Sequence, residues 1–255
     1  MRWCGKNLTT FTSQYACGDT KFFALPTTKK LREGMHNSRK KFIYRSPNEG
    51  LEEGSYKSKS TLKDGAGRTI TFAITYRGRV FYQNWLKGKK KDGDWHASLV
   101  KATTPIIRRK IDVSFPSVVG TRIKLLLDNE GAQKTEENLQ IWKDNKFDVV
   151  FQPTKSPDLN VLDFFLWSHV AKKYQDKIAG YVSDNDDSDV EEEIKLDVDH
   201  LLELLEEALD ETDQQQLASA HNNLNKRIKK CIVRRGGRFE NYIFNPAQKA
   251  RMDAM

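Results

Sequence analysis

Between Ile123 and Phe151 an apolar run gives way to an amphipathic stretch and then to a second apolar run. That succession limits the fold more than any other feature of the chain. Ile123 to Leu127 has the apolar character of a strand buried on both faces. Thr135 is placed to cap a helix whose first turn carries Glu136 and Glu137, both favourable to its dipole. The same helix is expected to turn Leu139 and Trp142 inward and to end near Asn145. Phe147-Asp148-Val149-Val150-Phe151 reads as the next strand, and Pro157 sits near the start of a further helix reaching about Tyr174. Strand, helix and strand at this spacing form a right-handed βαβ unit, so the core is α/β.

In open α/β sheets the reactive groups gather beyond the carboxyl ends of the strands, and Asp128 stands there, in Leu127-Asp128-Asn129. A second acid, Asp163, closes Ser156-Pro157-Asp158-Leu159-Asn160-Val161-Leu162-Asp163 at the head of the following helix. Asp163 shares a helical face with Leu159, Leu166 and Val170, which turns its carboxylate toward the sheet. Two carboxylates at one end of a sheet suit hard divalent cations, whose ligands are oxygens. Paired cations about 4 Å apart clamp phosphodiesters in many nucleases and polymerases. The bland alternative gives Asp128 a turn-capping role and leaves Asp163 on the surface. Asp158 reads as a helix-start residue.

Charge points to a polyanionic partner. Residues 184–213 hold fifteen Asp or Glu and one Lys, so the net charge of +8 conceals +22 on the remainder. Such an excess favours nucleic acid, because neutralising phosphates releases condensed counterions. No stretch approaches the roughly 20 apolar residues of a membrane span. No secretory leader is visible after Met1-Arg2-Trp3-Cys4. Cys4, Cys17 and Cys231 are an odd count without a CxxC pair, which supports neither a disulfide scaffold nor a zinc site and suggests a reducing compartment. The five histidines are scattered and read as structural or surface residues.

Four regions emerge. Residues 1–66 read as an irregular N-terminal segment. Residues 67–180 form the α/β core, which opens with a hairpin: Ile70, Phe72, Ile74 and Tyr76 alternate with small or polar residues, and Arg77-Gly78 makes the turn. A loop with Lys87, Lys89, Lys90 and Lys91 and a helix over about 96–111 follow. Residues 181–199 read as an acidic disordered loop. Residues 200–255 hold two helices and a tail. One helix is striped by Leu201, Leu205, Ala208 and Leu209, the other by Leu217, Leu224, Ile228 and Cys231, with Gly236-Gly237 as the stop.

Asp128-Asn129 together with the 156–163 motif resembles the mariner superfamily of DDE transposases, plant-type mariner-like members above all. The likeness covers most of residues 68–250 and includes the hairpin Thr69–Gln83, the helix around Pro105-Ile106-Ile107 and the C-terminal tail. It implies a ribonuclease-H-like mixed sheet flanked by helices, with a C-terminal helical hairpin. It also implies Mg²⁺ or Mn²⁺ held by Asp128 and Asp163, which are catalytic residues in that reading, with Asp in place of the third-position Glu. The implied activity is DNA nicking and strand transfer at terminal inverted repeats, by a homodimer, in the nucleus. Lys155, Lys172 and Lys173 are the candidate DNA contacts.

Two departures qualify the likeness. Gln133 stands where the family usually has histidine. The family's first acid lies on the opening strand in Asp-Glu followed closely by Trp. Met1-Arg2-Trp3 looks like the remainder of that motif, which would make residues 1–66 a remnant of the first strand plus an insertion and leave the first acid upstream and the chain truncated and inactive alone. Asp19 is the early substitute, without an apolar strand before it to support it. Two rival functions remain: a non-catalytic DNA-binding protein derived from a transposase, and a protein-interaction module using the acidic loop and C-terminal helices.

Overall fold

The computed structural model describes residue 4 and residues 15–25, 68–86, 95–153, 156–184, 198–236, 239 and 242–255. Five strands form one mixed sheet. They are β1 (Ala16–Ala24), β2 (Arg68–Tyr76), β3 (Arg79–Leu86), β4 (Ile123–Leu127) and β5 (Phe147–Phe151), in the order β3-β2-β1-β4-β5. β1 is central. It pairs antiparallel with β2, from Cys17 opposite Thr75 to Ala24 opposite Arg68, and parallel with β4 through Ala16–Leu125 and Cys17–Leu126. β4 and β5 pair in parallel along their full length. Among the described residues there are six α-helices: α1 (Trp95–Ser114), α2 (Glu136–Asp144), α3 (Trp167–Asp184), α4 (Val198–Asp210), α5 (Gln214–Val233) and α6 (Pro246–Asp253).

Strand alternation sends the core to both faces of the sheet. Ala16, Ile70, Phe72, Ile74, Leu125 and Leu127 join α1 and α2 through Leu99, Ile107, Ile111 and Trp142. Cys17, Phe23, Ala73 and Leu126 join α3, α4 and α5 through Trp167, Val170, Leu205 and Leu224. β2 therefore has no solvent face, and its Thr69, Thr71 and Thr75 are buried as fully as its Ile and Phe. The hairpin turn is made as expected. Arg77 (φ 50°) and Gly78 (φ 78°) both have positive φ, the conformation a two-residue hairpin turn requires.

The structure revises four boundaries. The segment read as irregular contains β1, so the core begins before residue 67. α1 runs from 95 to 114 and tolerates Pro105 within it. α3 reaches Asp184 and α4 starts at Val198, so both ends of the proposed acidic loop are helical; residues 185–197 lie outside the described residues. On α2 the inward pair is Asn138 and Trp142, while Leu139 is 39% exposed. The helix meets the sheet one position away from where its apolar stripe suggested. The Thr135 cap is present, accepting from the Asn138 N–H at 3.3 Å. The C-terminal stripes pack as read: Leu201, Leu205, Ala208, Leu209, Leu217, Leu224 and Ile228 are buried, with Cys231 half-buried.

Candidate active site

Side chains alternate along a strand, so β1 sends Cys17, Asp19, Lys21 and Phe23 to the face covered by α3. On that face Trp167 Nε1–H donates to Asp19 Oδ2 at 2.7 Å. Gly18 points the other way, where an added Cβ would lie 2.8 Å from Leu127 Cδ2 and 3.3 Å from Leu125 Cδ1. Glycine at this position lets β1 lie flush against β4. Asp128 follows the last residue of β4. Its Oδ1 accepts from the Asn129 N–H at 2.6 Å and from Gln152 Nε2 at 3.0 Å. Gln152 is held in turn by its own N–H, which donates to the Leu127 carbonyl at 2.9 Å.

Asp163 arrives by a more elaborate route. Pro157–Leu159 forms one 3-10 turn, Asn160 and Val161 are buried, and Leu162–Leu166 forms a π turn that leads into α3. Asn160 links these pieces: its Nδ2 donates to the Gly18 carbonyl at 3.4 Å, and its Oδ1 accepts from the Leu162 N–H at 3.1 Å. The turn that carries Asp163 is thereby tied to the strand residue beside Asp19. Single π turns inside helices recur at functional sites, because the extra residue re-aims a side chain. α5 braces the same loop from outside. Arg227 Nε donates to the Asp158 carbonyl at 2.7 Å, and its guanidinium lies 4.0 Å from the Phe164 ring centroid.

The charge of Asp128 is felt at both of the other acids. Burial, then the charge of Asp163, raises the Asp19 carboxyl to about 7 against the Trp167 hydrogen bond, with a smaller push from Asp128. Burial and the charge of Asp128 raise Asp163 to about 6, and Lys21 draws it down. Glu130 is also raised, by burial and by Asp128. Burial and neighbouring negative charge that raise carboxyl pKa values mark a site where negative charge outweighs positive. Among the described residues no three His, Cys, Asp or Glu side chains converge closely enough to ligate an ion as they stand. Mutual repulsion favours such spreading, and the donor set is all oxygen, as Mg²⁺ or Mn²⁺ requires.

Asp128 and Asp163 are thus brought to one neighbourhood, and Asp19, expected to lack strand support, lies on the central strand within reach of both charges. Sequence reasoning missed Trp167, Gln152 and Asn160 as positioning groups, and Glu130 as a neighbour. Gln133 is buried on the 3-10 turn Gly131–Lys134 that follows Asp128. Of the lysines named as DNA contacts, Lys172 is exposed and Lys155 lies outside the described residues. Lys173 departs from expectation. It donates to the Glu211 carbonyl at 2.7 Å and pairs with the Glu211 carboxylate at 3.3 Å, because α4 brings its acidic end against α3. Lys21 is an exposed cation beside Asp163 that the sequence reading passed over.

A family model described as DDE superfamily endonuclease matches residues 73–221. No curated protein sequence matches the chain. Among solved structures, a pre-cleavage Mos1 transpososome aligns at TM-score 0.63 and 16% identity, covering 94% of this chain and 61% of that one. The Mos1 mariner paired end complex with Mn aligns at TM-score 0.64 and 16% identity, with 94% and 62% coverage. The catalytic domain of Mos1 mariner transposase aligns at TM-score 0.61 and 15% identity, covering 94% of this chain and 93% of that domain. The chain therefore spans about three-fifths of the length of the transposase in the transpososome and nearly all of its catalytic domain. At these identities the likeness establishes a shared fold, the ribonuclease-H-like mixed sheet flanked by helices.

Proposed function

Because the chain belongs to the DDE superfamily of endonucleases, we propose that it is a mariner-type transposase catalytic domain whose acidic triad is Asp19, Asp128 and Asp163. One observation carries this reading: burial and the charge of neighbouring acids, Asp128 at the end of β4 among them, raise the proton affinity of Asp19 on β1 and of Asp163 at the head of α3. The reaction is DNA nicking followed by strand transfer. Its substrate is the DNA of terminal inverted repeats, a homodimer pairs the two ends, and the nucleus is where it acts. The paired-end and strand-transfer complexes of Mos1 support the substrate and the pairing, and its complexes with Mn and Mg support the choice of cation.

Asp19, Asp128 and Asp163 would hold the cations. When bound, these ions lower the pKa of the attacking water or 3′ hydroxyl and offset charge on the leaving oxygen. The chain's own groups set the geometry. Gln152 and the Asn129 N–H fix Asp128, Trp167 fixes Asp19, and Asn160 locks the turn bearing Asp163 to β1. Asp19 and Asp163 must release their protons for the site to fill. Lys21 supplies positive charge at the mouth, where a DNA phosphate would lie.

In this reading Asp19 supplies the first acid, so activity, rather than a truncated and inactive chain, is the expected outcome. The purified full chain should nick supercoiled plasmid in Mn²⁺, and Asp19→Asn, Asp128→Asn and Asp163→Asn should each abolish nicking while leaving DNA binding intact. The positive charge outside residues 184–213 also fits a DNA-binding protein without catalysis. Tight, salt-dependent binding with no Mn²⁺-dependent nicking would select that second reading.

A further inference from the structure

Cys4 and Cys231 lie 227 positions apart, yet Cys4 Sγ donates a hydrogen bond to Cys231 Sγ at 3.4 Å. Cys4 is buried and Cys231, on α5, is half-buried, so Cys231 is the more accessible residue of the pair. The third cysteine is no competitor: Cys17 is fully buried in β1, and burial pushes its thiol up to about 12. We propose that Cys4 and Cys231 are a covalent modification site, which small-molecule disulfides of the glutathione type convert to an intramolecular cross-link.

The chemistry balances with one such disulfide per protein. The Cys231 thiolate attacks one sulfur of the small disulfide and expels the other half as a thiolate, leaving a mixed disulfide on Cys231. Cys4 then gives up its proton and attacks the Cys231 sulfur, expelling the second small thiolate. Two protein thiols are oxidised, one disulfide is reduced to two thiols, and the two protons end on the small thiols. The roles follow from the geometry. Cys231 accepts the Cys4 hydrogen bond, which holds its thiol down at about 7 against burial, whereas the same bond and burial push Cys4 up. The thiolate is the nucleophile, so Cys231 attacks first and Cys4 resolves.

The location gives the cross-link a consequence. Cys231 lies one helical turn beyond Arg227, whose guanidinium braces the Asp158 carbonyl before Asp163 and the Phe164 ring just after it. Closure would tie residue 4 to the helix that supports this loop and constrain the unfolded chain over almost its whole length. The inference does not depend on the endonuclease reading, and its test measures no cleavage.

The full chain is treated with oxidised glutathione at pH 8, quenched in acid, alkylated in denaturant, digested without reductant and mapped by mass spectrometry. The expected product joins the Cys4 and Cys231 peptides within one chain and leaves Cys17 alkylated. Its melting midpoint should rise by about 5 °C or more. Cys4→Ser should retain one glutathione on Cys231, and Cys231→Ser should take up none. Links between two chains, a glutathione that persists on Cys231 in the unsubstituted protein, or both thiols alkylated as fully as before treatment would each overturn the proposal. The map of the unsubstituted chain decides the matter even where a serine variant fails to fold.

Discussion

Asp19 holds its proton up to about pH 7 and Asp163 up to about pH 6, both well above the unfolded value of 3.8. A carboxyl whose folded pKa is raised binds protons better in the folded state, so its contribution to stability falls as pH rises from about 4 through 7. For Asp19 the shift corresponds to a penalty on the order of 4 kcal/mol once it is fully ionised without a cation. Asp19→Asn should therefore raise the melting midpoint of the cation-free protein at pH 8, and should abolish the further rise that Mn²⁺ brings to the unsubstituted chain. Calorimetric titration with Mn²⁺ near pH 6.5, repeated in buffers of different ionisation enthalpy, should show about one proton released per site filled. His221 works in the opposite direction. Burial lowers it to about 4, so its contribution is complete above 6.5 and is lost as pH falls toward 4. Two carboxyls outweigh one imidazole between pH 4 and 6, so the cation-free protein should lose stability as pH rises from about 4, and Asp19→Asn should flatten that fall.

At the scale of elements, β1 is held by its neighbours. Ala-Cys-Gly-Asp-Thr-Lys-Phe-Phe-Ala has two weak strand formers at its centre, and its pairing with β4 spans only two residue pairs. Gly18→Ala forces a methyl against buried Leu127 and Leu125 and should cost about 1–3 kcal/mol in denaturant melts, the usual range for overpacking. Trp167→Phe keeps the packing of α3 but removes the donor that lowers the Asp19 pKa. Metal-dependent nicking should then set in at higher pH, while Asn160→Ala, which unties the Asp163 turn, should weaken activity across the whole pH range. These dependences explain what was legible in the sequence. β2, β3 and α2 announce themselves through local alternation, a capping threonine and a glycine turn, and Asp128 and Asp163 lie in motifs that read without tertiary information. β1 does not, because its strand character comes from partners more than 40 residues away in sequence, and Asp19 was undervalued for the same reason. Trp167, Gln152 and Asn160 are ordinary in sequence; only the folded chain shows which oxygens they hold.

For the whole molecule, the question is how a chain with an acidic segment of fifteen carboxylates can still bind a polyanion. Part of that charge is absorbed within the fold. Glu207 and Glu211 at the end of α4 pair with Lys173 and Lys177 of α3, so one expected DNA cation, Lys173, serves helix packing and four charges offset one another. Other cations remain exposed, among them Lys21 near Asp163 and Arg235 and Arg251 flanking a cavity of about 480 Å³ between the end of α5 and α6. Residues 185–197 contribute seven further acids and one lysine. Replacing those seven acids with their amides raises the formal net charge from +8 to +15. If they compete with DNA phosphates for the same cations, affinity measured by fluorescence anisotropy should rise most at low salt, and the gain should shrink as ionic strength screens the competition. The steepness of the salt dependence counts the counterions that DNA releases, so under such competition the amide variant should show a steeper slope than the unsubstituted chain. An equal gain at every salt concentration would mean that these acids act on the fold rather than on the DNA. Reversing the other side of the balance should separate the packing lysines from the binding ones. Lys173→Gln should lower the melting midpoint with little change in the salt slope, whereas Lys21→Gln should leave the midpoint intact and reduce the slope by about one.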